Sequence, residues 1–111
     1  MGFTIVQSVD VSDGSGIYLD NCYITIQGQF KIERRKNAYT NSNEYYLSAG
    51  SMLYRDKLAY DNQKNPIMVN IFIEKHIIGS ETDFYRIVYD TLKLRVKEIF
   101  KNHNLTFVDD I

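Results

Sequence analysis

The sequence has no tryptophan, one cysteine (Cys22) and one proline (Pro66) in 111 residues. A single cysteine forms no internal disulfide, so the chain is not a disulfide scaffold, and it fits a reducing compartment or a particle assembled in one. Charge of neither sign dominates. With 13 basic against 14 acidic residues and a net charge of −1, nothing draws the whole chain to nucleic acid or to an anionic membrane. No apolar run approaches the roughly 18–20 residues of a membrane span. The longest, Ile67 to Ile73, is broken by Asn70. Residues 1–11 hold no basic segment and no continuous apolar stretch, so no signal peptide is expected. A phosphate-binding loop, GxGxxG, GxSxG and HExxH are all missing.

What is present is ordinary in amount and uneven in kind. Hydrophobic residues make up 44%, enough for one core and too many for a disordered chain. At this length one domain, residues 1–111, is expected. Nine of the aromatic residues are tyrosines. Tyrosine suits half-buried strand faces and interfaces, because its ring is apolar and its hydroxyl stays wet.

Hydrophobic spacing predicts strands along most of the chain. Phe3–Val9 alternates weakly, and Asp13-Gly14-Ser15-Gly16 reads as a turn. From Ile17 to about Arg34 the period is two: Cys22, Ile24, Ile26, Gly28, Phe30 and Ile32 fall on one face, predicted to be core. Gly28 marks a bulge or a close approach by a neighbour. Residues Arg35 to Glu44 read as a hairpin loop. Tyr45–Tyr54 is a second long strand, and both of its faces are partly apolar, which a one-sided sheet does not require. Arg55–Asn65 is polar with a turn at Asp61-Asn62. Pro66 then precedes a strand to about His76, whose face Ile67, Val69, Ile71, Ile73 is unbroken.

At Ser80 the period changes. Ser80-Glu81-Thr82-Asp83 resembles a capping box, with Ser80 accepting from the Asp83 N–H. Phe84, Ile87, Val88, Leu92, Val96, Ile99 and Phe100 then recur at helical spacing. Lys93, Arg95, Lys97 and Lys101 crowd the C-terminal half, where cations complement the helix dipole. Leu105–Val108 is either a final strand or an extended clamp. The expected fold is therefore α+β: an antiparallel β-sheet with long hairpins packed against one C-terminal amphipathic α-helix, about residues 81–102. A two-layer sandwich is the alternative. The helix face Phe84, Val88, Leu92, Val96 and Ile99 is expected to pack on Ile67, Val69, Ile71 and Ile73.

No cluster of side chains calls for catalysis. His76 and His103 lack partners at metal-ligand spacing, so neither a metal nor a cofactor is expected. Cys22 lies among apolar neighbours with nothing to lower its pKa. Glu81 and Asp83 are explained by helix capping, and Asp109 and Asp110 stand in a terminal tail without a pocket. Asn104-Leu105-Thr106 matches a glycosylation acceptor, but no secretory signal accompanies it. The run Lys31–Lys36 (KIERRK) is the one cluster to weigh for nucleic acid, since basic and aromatic residues on a sheet bind single strands. Glu33 interrupts it, so a solvated hairpin end is expected, and nucleic-acid contact stays the alternative. Asp90 and Glu98 on the helix's polar face favour core packing over a membrane surface.

Several short stretches carry a resemblance along the whole chain. Met1-Gly2-Phe3-Thr4 precedes Cys22-Tyr23-Ile24-Thr25-Ile26, a strand of the "AYIRI" type. A tyrosine-rich hairpin runs from Tyr45-Tyr46 to Tyr54. An apolar strand follows, then Val88-Tyr89-Asp90-Thr91-Leu92-Lys93 of "IYxxLK" character, and the end Phe107-Val108-Asp109-Asp110-Ile111 is of the "F-x-D-D" kind. In this layout the chain resembles small tail and baseplate-region structural proteins of bacteriophages. The resemblance implies a virion protein of tail, baseplate or neck, with other virion proteins as partners, a homo-oligomeric state and no catalytic residues. Virion components often join through sheet faces and edges. The two-sided strand is then an interface strand, with Tyr46, Met52, Tyr54 and Phe72 as the residues expected to face a neighbouring subunit.

Overall fold

The computed structural model describes residues 2–12, 14–26, 30–78 and 83–110. In chain order the elements are β1 (Gly2–Ile5), β2 (Val9–Asp10), β3 (Tyr18–Leu19), β4 (Tyr23–Ile26), β5 (Lys31–Lys36), β6 (Asn43–Tyr54), α1 (Lys57–Asp61), β7 (Met68–Ile78), α2 (Phe84–Ile99) and β8 (Phe107–Asp110). The expected class holds: an antiparallel sheet packs against a C-terminal helix. Among the described residues the sheet has six strands, with β2–β3 as a separate ribbon, and no second large sheet forms a sandwich.

The twelve-residue β6 is the axis of the fold. One of its edges pairs with β7 along nearly its whole length. Its other edge is shared. β4 pairs with the second half (Tyr23↔Tyr54, Ile26↔Ser51), and β5 with the first half (Lys31↔Ser48, Lys36↔Asn43). Beyond β4 come β1 and then β8, so one end of the molecule is a five-strand body and the other a three-strand arm of β5, β6 and β7. The result is elongated, 51 × 28 × 21 Å. Its radius of gyration is 15.7 Å, against about 13 Å for a compact chain of this length.

Period two decides which residues meet the helix. Leu47, Ala49, Ser51 and Leu53 of β6 are buried on one face with Ile71 and Ile73 of β7, Ile24 of β4, and Phe3 and Ile5 of β1. α2 covers this face with Val88, Leu92 and Val96, all buried, while Phe84 and Ile99 pack at its ends half-buried. Ser51 is tolerated there because its hydroxyl donates to the Ile71 carbonyl at 2.9 Å.

The structure departs from the sequence-based expectation at particular points. Ile67 and Val69 are exposed, although Ile71 and Ile73 are core. The ladder slips between Ser51↔Ile71 and Leu53↔Met68, so the inward phase passes to Met68, which packs on the core in their place. The single strand expected from Ile17 to Arg34 is divided into β3, β4 and β5, and Ile32, expected in the core, is 45% exposed on the arm. Gly28 lies outside the described residues. The loop expected over Arg35–Glu44 is shorter, because Asn37 closes the hairpin. Its N–H donates to the Ser42 carbonyl at 2.9 Å, and its Oδ1 accepts from the N–H groups of Tyr39 and Thr40.

In place of a simple turn at Asp61-Asn62 the chain makes α1, capped by Asp56, whose Oδ1 accepts from the Ala59 N–H at 2.7 Å. The capping role expected of Ser80 falls outside the described residues. Asp83 is the N-cap of α2, accepting from the Arg86 N–H at 3.1 Å, and the helix spans Phe84–Ile99 instead of about 81–102. The tail resolves to a strand, β8, paired antiparallel with β1.

Candidate functional site

The face of the sheet opposite α2 is covered in one half and open in the other. Over the body, α1 lies on it. Tyr60 packs against Tyr23 at 5.2 Å and edge-on to Tyr54 at 5.1 Å between ring centroids. Over the arm, no helix among the described residues covers this face.

There the ladder register lines up a mixed set of side chains in rows across three strands. Glu33, Tyr46 and His76 form one row, Lys31, Ser48 and Glu74 the next, and Arg35, Glu44 and Ile78 the outermost. His76 stacks flat on Tyr46, with centroids 4.4 Å apart and ring planes 5° from parallel. Arg35 lies over the same Tyr46 ring, 4.9 Å from its centroid, and is held by Glu33 at 2.9 Å. Glu44 accepts from the Tyr46 hydroxyl and faces His76 Nε2 at 3.7 Å. Lys31, Glu33, Arg35, Tyr46, Glu74 and His76 line a shallow groove of about 800 Å³. Arg35 pairs with Glu33 there and Glu74 shares the lining with Lys31 and Lys75, so the groove presents aromatic surface and mixed charge instead of a field of one sign. That is the chemistry of a protein contact more than of a polyanion site.

The residues expected to face a neighbour divide across the two halves. The register Gly50↔Phe72 puts Phe72 on the same face as the even-numbered residues of β6. Phe72 is 52% exposed, and Tyr46 and Met52 are half-buried beside the open face. Tyr54 is a correction: it is 7% exposed, because α1 folds back over it within the same chain, and its hydroxyl is directed to the Met52 sulfur at 3.9 Å. Sequence reasoning weighed His76 only as a metal ligand and gave Glu44 no role at this site. Tyr39 stands at the arm's tip and is 99% exposed. The signal for His76 and Glu44 was the strand period itself, which shows their common face only once β6 and β7 are paired in register.

A second cleft, about 300 Å³, lies between the first half of α2 and the ends of β1 and β8. Of its four aspartates, Asp109 pairs with Lys93 at 2.7 Å and Asp110 with Lys57 at 3.2 Å. The Tyr23 hydroxyl and then Lys57 hold the Asp110 carboxyl below the usual carboxylate range. Cys22 is buried, and desolvation followed by the charges of Asp20 and Asp56 pushes its thiol up to about 11, so it stays protonated at neutral pH. Among the described residues no group of three or more His, Cys, Asp or Glu side chains is placed to hold a metal ion. No helix among them is long and apolar enough to cross a membrane.

No family model, curated protein or solved structure matches this chain.

Proposed function

We propose that this chain is a structural protein of a bacteriophage particle, a component of the tail, baseplate or neck, and that it works through protein–protein contacts without catalysis. The observation that carries this reading is the arm. The three-strand arm runs out from the core and, among the described residues, leaves its face opposite α2 and the edge strand β5 uncovered. Ordering such an arm costs conformational entropy that a solitary monomer recovers poorly, whereas an assembly recovers it by burying the arm against neighbours. The layout resemblance to small tail and baseplate-region proteins supports the same reading. On it, the protein resides in the virion, its partners are other virion proteins or further copies of itself, and Tyr46, Met52 and Phe72 belong to the contact surface.

The test is to purify intact particles made by the genome that encodes this chain, and to look for it by mass spectrometry alongside native mass measurement of the isolated protein. The chain is expected in particles at a fixed stoichiometry. A stable monomer that is absent from particles overturns the proposal. Salt-dependent retention on single-stranded DNA, lost when Arg34 and Arg35 are changed to alanine, would favour the alternative of a small module contacting nucleic acid through Lys31–Lys36.

A further inference from the structure

We propose that the free edge of β5 accepts an extended acidic segment of a partner protein as an added antiparallel strand. This rests on the assembly reading and names the partner chemistry of the arm.

The backbone gives the first argument. Hydrogen-bonded and non-bonded pairs alternate along an antiparallel ladder. The Asn37 N–H donates to the Ser42 carbonyl across the hairpin. Counting back along Lys36↔Asn43, Arg35↔Glu44 and Arg34↔Tyr45, the odd residues Lys31, Glu33 and Arg35 spend their backbone groups on β6. The N–H and C=O of Ile32, Arg34 and Lys36 therefore point away from β6, to the side where no strand lies among the described residues. A bare row of this kind is the template for strand addition.

The side chains give the second. The same period that turns these backbone groups outward puts Ile32, Arg34 and Lys36 on the α2 side of the arm, apart from Lys31, Glu33 and Arg35. On the open face Arg35 is held by Glu33. On the α2 side, Arg34 lies in a row with Tyr45 and Ile77, and Lys36 opposite Asn43. No carboxylate shares those rows, and neither cation is in an ion pair among the described residues. An added strand sets its own residues directly opposite Lys36, Arg34 and Ile32, about 6.8 Å apart. The complement, read in the antiparallel direction, is carboxylate, any residue, carboxylate, any residue, apolar.

Other occupants fit less well. Two copies of β5 set Arg34 opposite its own twin in the central register, and opposite Lys36 in the next, and like charges directly opposed destabilise a pair. A single-stranded nucleic acid offers no backbone to meet the outward N–H and C=O row. Tyr45, the aromatic nearest Arg34, is already packed against Phe84 at 4.8 Å and offers little face for base stacking.

The experiment measures fluorescence anisotropy of the full chain with a labelled peptide in which two glutamates alternate with threonine and a valine follows. Matched probes are the same peptide with lysine for glutamate, and oligothymidine. Saturable binding of the acidic peptide alone is expected. Arg34→Glu with Lys36→Glu should lower its affinity at least about tenfold and transfer preference to the lysine peptide. Ile32→Pro removes an outward N–H that β6 does not use and leaves every charge in place. It too should cost about tenfold, with circular dichroism confirming the fold. If Ile32→Pro fails to fold, the charge-reversed variant decides alone.

Failure of the acidic peptide to bind overturns the proposal. So does equal binding of the lysine peptide, preference for oligothymidine, or self-association of the wild-type chain that the charge reversal abolishes. Particles that retain the charge-reversed chain, together with failed peptide binding, refute the edge proposal and leave the assembly reading standing. Peptide binding by a chain absent from particles does the reverse.

Discussion

Tyr23 donates its hydroxyl to the Asp110 carboxylate at 2.9 Å, and in doing so its ring crosses over Gly2 on the strand between them. β4, β1 and β8 are thus fastened by one side chain in addition to their ladders. Tyr23 is fully buried, so its hydroxyl has no water to fall back on. Tyr23→Phe should therefore lower unfolding free energy by roughly 1 kcal/mol, read from urea melts at neutral pH. Unchanged stability would show that the bond is not formed in solution.

The same bond makes a pH signature with two limbs. The Asp110 carboxyl lies below its ordinary value of 3.8, mainly through the Tyr23 hydrogen bond and then Lys57. Its contribution is present above 3.8 and is lost as pH falls through the lower folded value. The Tyr23 phenol is raised above its ordinary 10.0, first by burial and then by Asp110. Its contribution is present below 10.0 and is lost as pH rises beyond it. Thermal melts across pH should show wild type losing stability on both flanks, with Tyr23→Phe shallower on each; the buried Cys22 thiol and Tyr89 phenol, both raised, keep part of the alkaline limb.

Gly2 owes its identity to that crossing ring. A Cβ at this position meets the Ile24 carbonyl oxygen and stands 2.6 Å from the Tyr23 hydroxyl oxygen. The carbonyl belongs to the sheet and cannot step aside. Gly2→Ala should cost about 1–3 kcal/mol, detected as a lowered melting temperature. A fully stable variant would mean that β1 sits differently against β4.

Leu92 is the centre of the helix–sheet contact and is fully buried. Leu92→Ala should destabilise by about 2–5 kcal/mol, and Leu92→Asp should unfold the domain by burying an unpaired charge. Far-ultraviolet circular dichroism of Leu92→Asp at wild-type strength would contradict this placement of α2.

Cys22 should behave as a buried, protonated thiol. In the native protein at pH 8 a thiol-specific chromogenic reagent should react only as fast as the protein opens, and at once in denaturing urea. Rapid native reaction would place the thiol at the surface.

Local chemistry marked much of the fold in advance. The helix was legible because Val88, Leu92 and Val96 repeat at its pitch, and Cys22 and Ile24 were legible as core because they alternate with polar neighbours. Legibility failed where two elements had to be compared. Nothing local announces the slip between Ser51 and Leu53 that sends Val69 outward and Met68 inward. The candidate site failed for the same reason: Tyr46 and His76 are 30 positions apart in the chain and stack only because β6 and β7 pair in one register.

The tyrosines separate the two kinds of information most clearly. Composition alone establishes a chain rich in a side chain with an apolar ring and a polar tip, suited to half-buried strands. It does not say which ring goes where. Tyr23 ends in the core, Tyr54 beneath α1, Tyr46 in the arm's stack and Tyr39 in solvent. The sequence by itself determined the class of fold, the helix and its buried stripe, because those follow from periodicity within one segment. Only the tertiary structure decided which faces stay open and which strand edge stays bare, because exposure is a property of what the rest of the chain leaves uncovered.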